Sequence, residues 1–339
     1  MISWKSFSSN KLFWPIVSLA ILLLFNLFFT PHFFAVQIMD GHLYGNVIDI
    51  IKNAAPKAIL AIGLTLVIAT HGIDISVGSV VAISAGIVAM LIGGDLHGIP
   101  KHPIFFSMVV AVLACTVAGM WNGFLVSRIG MQPIIATLIL FVAGRGIAMV
   151  TTNAMQVWLY AKPFALLGQG YFLGLPFSIY IVAGMLILTF IVTRGTALGI
   201  FIETVGLNPK ASRFAGINAK NIIFGVYAFS GFCAGVSGLI VCSTVMNADG
   251  NNAGLLFELD AILAVVIGGT SMNGGKFSLG GSMIGALIIQ TLTTTIYAFG
   301  VPPEISQVVK AFVVYIICLL QSDIFRRKVA GVFGREVAR

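Results

Sequence analysis

The sequence predicts an all-α polytopic membrane protein of about ten transmembrane helices, N-in and C-in, with broken helices. Three observations carry that expectation. First, 58% of the 339 residues are hydrophobic, about 197 side chains, and only 30 are charged, where a soluble domain of this length carries roughly 85. The mean hydropathy is +1.04, more apolar surface than a soluble core needs or so few charges can cover. Disorder, a coiled coil and a disulfide-stapled secreted domain are excluded by the same arithmetic. Second, the apolar residues fall in runs close to the ~20 residues of a spanning helix, without the ten-residue alternation of a β-barrel. Third, lysine and arginine crowd onto alternate connections.

Taken in order, the runs are 12–31, 56–71, 76–93, 104–127, 133–151, 175–193, 220–243, 259–271, 278–298 and 304–321. The first follows Lys5 and Lys11 but lacks a small-residue cleavage site at the right distance, so it reads as a retained anchor and not a signal peptide. The pairs 56–71/76–93 and 259–271/278–298 are short or broken, which leaves nine and eleven spans open. Residues 1–339 form one transmembrane domain in this reading, closed by a basic tail at 322–339. With the N-terminus inside, the inner segments hold Lys5, Lys11, Arg128, Arg194, Lys210, Arg213, Lys220, Lys276, Arg326, Arg327, Lys328, Arg335 and Arg339. The outer connections keep Lys52, Lys57, Lys101 and Lys162. This bias sets the orientation, so the net charge of +8 is a topology signal and does not imply nucleic acid. Arg326, Arg327 and Lys328 read as a stop-transfer anchor in preference to a lipid site.

Cys115, Cys233, Cys242 and Cys318 fall inside predicted spans and read as soft packing residues. The five histidines are scattered without ligand spacing, so no metal is expected. Glycine pairs at Gly119/Gly123, Gly231/Gly235 and Gly281/Gly285 have the small-xxx-small spacing of close helix packing, and Gly238 extends the second.

Ionisable and amide side chains within spans are costly and mark candidate sites. Asp74 lies in Thr70-His71-Gly72-Ile73-Asp74-Ile75-Ser76-Val77-Gly78, which interrupts a long apolar stretch, and Ser76 is placed to cap the helix that follows. Two readings stand: a tight inner hairpin with a capping Asp, or a broken helix lining a solute pathway. Arg145 is the deepest cation. Asn122, Gln132 and Thr137 are placed to face the same cavity, as are Gln290, Thr294, Gln307 and Lys310 from the last two spans. Rich in amides and hydroxyls and poor in acids, this set suits a neutral polyhydroxylated solute. Each member also has the commoner option of bonding a neighbouring helix.

No catalytic residues and no cofactor are expected in this chain. The nearest approach to a phosphate-binding loop, Gly268 to Phe277, places Thr270 where the first glycine belongs and Phe277 where Ser or Thr must reach magnesium. The largest charged stretch is the loop 194–219. From Asn208, with Pro209 at the first helical position and Gly216 as terminator, it predicts a short amphipathic helix. That helix is either an ordinary surface element or a lever for an external motor.

Glu203, Gly206 and Asn208, followed by Ala211 and Ala215-Gly216-Ile217, resemble the cytoplasmic coupling motif of ribose-type monosaccharide ABC transporter permeases. Gly72 to Gly78, Trp121-Asn122-Gly123 and Gln132-Pro133 with Ala136-Thr137-Leu138 resemble the same family's signatures, over about 40–322. Asp40-Gly41 through Ile48-Asp49, Ala248-Asp249-Gly250-Asn251-Asn252-Ala253-Gly254-Leu255, Phe257 to Gly269 and Pro302-Pro303-Glu304 are most similar to its galactofuranose-importer subgroup, from which Gly250 departs. The resemblance implies a bacterial inner-membrane importer. Its parts would be a second permease chain, identical or paralogous, ATPase subunits that hold the ATP and magnesium, and a periplasmic sugar-binding protein. It further implies that the loop carrying Glu203 docks on the ATPase and that the outer loop with Asp249, Asn251 and Asn252 meets the receptor. The alternatives are a ribose or other pentose or hexose permease of the family, a stand-alone sugar transporter that works without an ATPase, and a membrane component that moves nothing. A weak internal echo, Ala58 to Ala61 leading to Ser76 against Ala261 to Ala264 leading to Ser278, is consistent with a duplicated build.

Overall fold

The computed structural model describes residues 12–39, 41–93 and 98–321. Lys5, Lys11, Asp40, His97 and the basic tail 322–339 lie outside the described residues. Each of the ten apolar runs contains a helix: α1 (Phe13–Phe29), α2 (Asn46–Ala69), α3 (Val77–Ile92), α4 (Ile104–Phe124), α5 (Pro133–Thr151), α7 (Phe177–Gly195), α10 (Ala219–Val245), α11 (Phe257–Ile267), α12 (Leu279–Ala298) and α13 (Pro303–Gln321). The short α6 (Lys162–Gln169), α8 (Leu198–Leu207) and α9 (Pro209–Phe214) lie between spans. Among the described residues, six helices, α2, α4 with its π-helical extension, α5, α7, α10 and α12, are long and apolar enough to cross a membrane. The protein is therefore a multi-pass membrane protein.

Hydropathy does not separate a helix buried in protein from one bathed in lipid; packing does. In α2, 83% of the most apolar window is buried, against 22% in α4 and 22% in α7. Helix α2 is the central post, and α4, α5 and α7 present Leu113, Val117, Val142, Val150, Ile187 and Ile191 outward. The predicted glycine pairs do pack: Gly119 and Gly231 bring α4 and α10 so close that a Cβ on Gly119 would lie 2.9 Å from Gly231 Cα. At the other end of the bundle, Asn26 of α1 bonds Thr295 of α12 at 2.7 Å.

The connections sort onto two faces. On one, β1 (Gln37–Met39) pairs with β2 (His42–Tyr44), β3 (Val157–Trp158) with β6 (Asn247–Ala248), and β4 (Tyr171–Phe172) with β5 (Leu175–Pro176), all antiparallel. Leu43 N donates to Gly174 O at 3.0 Å and joins two of these pieces. The opposite face carries the turns 70–76 and 268–278 with α8 and α9, and there Gly275 N donates to Ala69 O at 2.9 Å.

Two expectations are corrected. Helix α2 starts ten residues before the apolar run, because Pro56 is accommodated inside it. The carbonyl of Pro56 accepts from Ser237 Oγ at 3.0 Å. Lys57 is therefore within the bundle, 6% exposed, and does not belong to an outer connection. Ser76 occupies the N-cap of α3, but its hydroxyl donates to Asp74 and does not cap the helix. Ser278, its counterpart in the echo, does cap, accepting from Gly281 N at 3.1 Å.

Candidate translocation and coupling site

The hairpins α2–α3 and α11–α12 turn on the same face, joined by the Gly275–Ala69 backbone bond and by Thr65 Oγ1 against Ser282 Oγ at 2.7 Å. The turn 70–76 does not stay at that face. Asp74 Oδ2 accepts from Ser230 Oγ at 2.9 Å, and Ser230 lies 11 residues along α10 from Ala219, about 17 Å at 1.5 Å per residue. The segment climbs into the bundle as irregular backbone, a course tolerated within a membrane only where protein satisfies its polar groups. Asp74 Oδ1 accepts from Ser76 N at 3.0 Å and Ser76 Oγ at 2.6 Å. Asn122 Nδ2 donates to Ser76 Oγ at 2.8 Å, and Thr137 Oγ1 accepts from Ile75 N at 3.3 Å. The structure thus brings Asp74, Asn122 and Thr137 together, all at most 1% exposed. Asp74 is a turn-forming acceptor just ahead of a helix start.

From the opposite face the loop 249–256 descends to meet it. The starts of α3 and α11 abut, with Gly78 against Gly254 O and the Glu258 carboxylate. Two helix N-termini, each an electropositive end, therefore face one region inside the bundle, with Glu258 and Asp260 in the first turn of α11. Arg145 reaches over from α5, donating from Nη1 to Ala253 O at 2.7 Å and Gly250 O at 3.3 Å. It fastens the carbonyls that an interrupted span leaves free. Its Nη2 and Glu258 Oε2 are buried without a hydrogen-bond partner.

Asp249, Asn251 and Asn252 form the outer end of this loop. Asp249 Oδ1 accepts from Asn251 N at 2.8 Å, and its Oδ2 accepts from Asn252 Nδ2 at 2.7 Å and Gln156 Nε2 at 3.3 Å. Partial desolvation pushes the Asp249 carboxyl up, but the Asn252 amide, the Asn251 and Asn252 N–H groups and Gln156 together hold it below its ordinary value. A depressed folded value means that the stabilisation is complete above the unfolded pKa, 3.8, and fades as pH falls through the folded one. The protection factors of the Asn251 and Asn252 amides, which correct for the intrinsic pH dependence of exchange, should accordingly be high at neutral pH and fall only below the ordinary aspartate range. An Asp249→Ala chain should show low protection at every pH; equal protection in both chains would contradict this.

A third cluster holds the hairpins to α13. Asp260 pairs with Lys57 Nζ at 2.9 Å and Lys310 Nζ at 3.0 Å, all side chains 7–8% exposed. Lys57 Nζ also donates to Gln290 Oε1 at 3.0 Å, and Gln290 Nε2 reaches Thr294 Oγ1 at 3.4 Å. Gln290, Thr294 and Lys310 were legible as candidates; Lys57 and Asp260 were not singled out, although an ionisable residue inside an apolar run is the signal that finds them. Gln132 and Gln307 lie on the exposed surface, apart from the three clusters. Among the described residues no group of three His, Cys, Asp or Glu is placed to hold a metal ion.

The loop 194–219 carries two helices, Leu198–Leu207 and Pro209–Phe214. Asn208 caps α9, its side chain accepting from Lys210 N and Ala211 N at 3.0 Å each, and Pro209 opens the helix. Ala215 ends it and Gly216 follows at φ +83°, so this piece follows the sequence expectation. Helix α8 corrects the expectation of a loop over 194–207; Leu198, Ile202 and Val205 carry a helical spacing. It seats Gly206 directly on Ala69 O, with Gly275 N 2.6 Å from where a Cβ would stand, so α8 touches the turn of both hairpins. Glu203 is half-buried on α8, while Lys210, Ala211, Arg213, Ala215 and a 94% exposed Phe214 are exposed on and just after α9.

Interrupted spans meet inside an apolar bundle, with two short surface helices beside their turns, an architecture suited to a membrane permease. The chain belongs to the family described as branched-chain amino acid transport system / permease component, whose model matches residues 46–318. It is 46% identical to the galactofuranose transporter permease protein of Escherichia coli, over 95% of this chain and 94% of that protein. It is 39% identical to a fructose import permease protein of Bifidobacterium longum, over 94% and 89%, and 35% identical to a ribose import permease protein of Haemophilus influenzae, over 92% and 93%. No solved structure matches at a significant level.

Proposed function

We propose that the chain is the membrane-spanning subunit of an ATP-binding-cassette importer, passing a monosaccharide, galactofuranose or a related sugar, from a periplasmic binding protein to the cytoplasm. The observation that carries this reading is α8, wedged against both broken hairpins while α9 projects outward. A push on α9 by a motor subunit reaches the turns at 70–76 and 268–278 together. The face with α8 and α9 is cytoplasmic in this reading, with ten spans, both termini inside and the protein in the bacterial inner membrane. Arg128, Arg194, Lys210, Arg213, Lys220 and Lys276 then lie inside. The sugar class is supported by the relatives, whose names specify galactofuranose, fructose and ribose.

The partners are a second permease chain, identical or paralogous, ATPase subunits that bring ATP and magnesium, and the binding protein, which meets the outer loop at Asp249, Asn251 and Asn252. Asp74, Asn122 and Thr137 shape the inner end of the pathway by holding the 70–76 segment. Arg145 shapes its outer end, Gln290, Thr294 and Lys310 border it from the third cluster, and Gln132 and Gln307, on the exposed surface, belong to it only where the second permease chain packs. ATP does its work as differential binding to two conformations.

Reversing one charge on the lever tests the reading. Glu203→Lys should leave membrane insertion unchanged and lower ATP-dependent uptake into vesicles holding the full complex about tenfold or more, within the range of an allosteric coupling energy. Uptake at the unsubstituted rate would overturn the lever, and uptake by the chain without any ATPase would identify a stand-alone transporter.

A further inference from the structure

A cleft of about 500 Å³ opens between α9 and the roots of α4 and α10. Arg128, Lys210, Arg213 and Lys220 line it, with Ile217 and Ile223 between them and no acidic side chain. Orientation requires cations on this face but does not require four of them to share one concavity. Like charges that line one concavity repel, and an anion among them relieves that repulsion. None of the four is in an ion pair: among the described residues, the ion pairs are confined to Lys57, Asp260 and Lys310. Arg128 is held by a neutral partner, donating from Nη2 to Asn221 Oδ1 at 2.5 Å.

Two further features say what kind of anion fits. Helix α4 does not end regularly; its last turn, Leu125–Ile129, is π-helical. Such a turn shifts the register of the side chains it carries and recurs at functional positions. Here it carries Arg128 to the cleft. On the same helix, just above, Trp121 and Phe124 are 54% and 44% exposed and stack at 6.4 Å, and Ile129 beside Arg128 is 59% exposed. The basic cleft is thus continuous with an apolar, outward-facing stripe along one helix. A free anion has no use for that stripe, and an acidic protein surface has little. A molecule with an anionic head and apolar tails fits both parts.

We propose that this cleft is a binding site for one anionic glycerophospholipid of the inner leaflet. Its phosphate lies among Arg128, Lys210, Arg213 and Lys220, and its acyl chains run along Trp121 and Phe124. A headgroup there ties α9 to the bundle through paired charges, Lys210 and Arg213 on one side and Arg128 and Lys220 on the other. The proposal rests on the preceding reading only in taking this face as cytoplasmic.

The test uses the purified full chain, so it does not depend on transport. Phosphatidylglycerol and phosphatidylcholine are offered at equal concentration, and the lipid retained is read by native mass spectrometry. One phosphatidylglycerol per chain should be retained in preference. Arg128→Gln/Lys220→Gln, which spares α9, should weaken retention about tenfold or more, in line with the loss of two cations from a headgroup site. Lys101→Gln, on the other face, should change nothing. As a check that needs no variant, raising the salt concentration should release the lipid from the unsubstituted chain. Equal retention of both lipids, or retention indifferent to salt, would overturn the proposal. So would displacement by millimolar inorganic phosphate, which marks a simple anion site, or exclusion of lipid once the ATPase is bound, which marks a protein interface.

Discussion

Asp260→Asn is expected to remove most of the folded permease. Among the described residues, Asp260 is the sole acidic partner of Lys57 and Lys310, at 2.9 and 3.0 Å, in a setting where the side chains are 7–8% exposed. Without the carboxylate the cluster holds two ammonium groups close together, with Gln290 Oε1 at 3.0 Å from Lys57 as the remaining strong acceptor. Breaking a buried pair in this way costs about 3–5 kcal/mol, far more than the pair contributes relative to an apolar replacement. That is a large part of the roughly 5–15 kcal/mol that holds a typical domain folded. The cluster also joins α2, α11, α12 and α13, so its loss loosens both hairpins at once. Monodisperse protein in detergent should fall steeply, with a lowered melting temperature in what survives. The triple change Lys57→Met, Asp260→Leu and Lys310→Met should recover much of the yield, because it removes every buried charge together. An Asp260→Asn chain as stable as the parent would show that the lysines find water or another anion.

Gly206→Val is expected to have the opposite signature, a folded chain that does not work. A β-carbon at this position overlaps the carbonyl oxygen of Ala69 and crowds Gly275 N. Both obstacles are main-chain atoms that cannot rotate away, and the neighbour on Gly275 is the N–H that bonds Ala69. Helix α8 must lift off. Because α8 is a surface element, the central post and its packing survive. Protein level and melting temperature should therefore stay close to those of the parent, while coupled uptake falls roughly 10–100-fold, as expected for an allosteric link of about 1–3 kcal/mol. ATPase subunits should still assemble and hydrolyse at a basal rate that the loaded receptor no longer stimulates. Normal uptake would show that the contact between lever and turns is dispensable.

These two residues illustrate what the sequence could and could not reveal. The ten apolar runs all became helices, since burial in lipid and burial in protein demand the same composition. Asn208, Pro209 and Gly216 set α9 because capping is a local property of neighbouring residues. Pairing is not local: Lys57 and Asp260 stand 203 positions apart in the chain. Pro56 disguised Lys57 further, making the upper half of α2 read as a loop. Asp74 was legible as unusual, yet only the packing of α4, α5 and α10 around 70–76 shows its acceptors filled from within the chain. Helix α8 was hidden by its charged surroundings, although its own residues have the right period.

The joint between the two inner turns is made by main-chain atoms, Gly275 N to Ala69 O, so it does not depend on which side chains flank it, proline at 275 aside. Its geometry asks chiefly for glycine at 274 and 275, where φ is +77° and +88°. The joint is thus a generic fitting, indifferent to cargo. Chimeras that exchange the 268–278 turn between permeases for different sugars should remain mechanically sound if those two glycines are kept, while the side chains deeper in the bundle diverge freely around them.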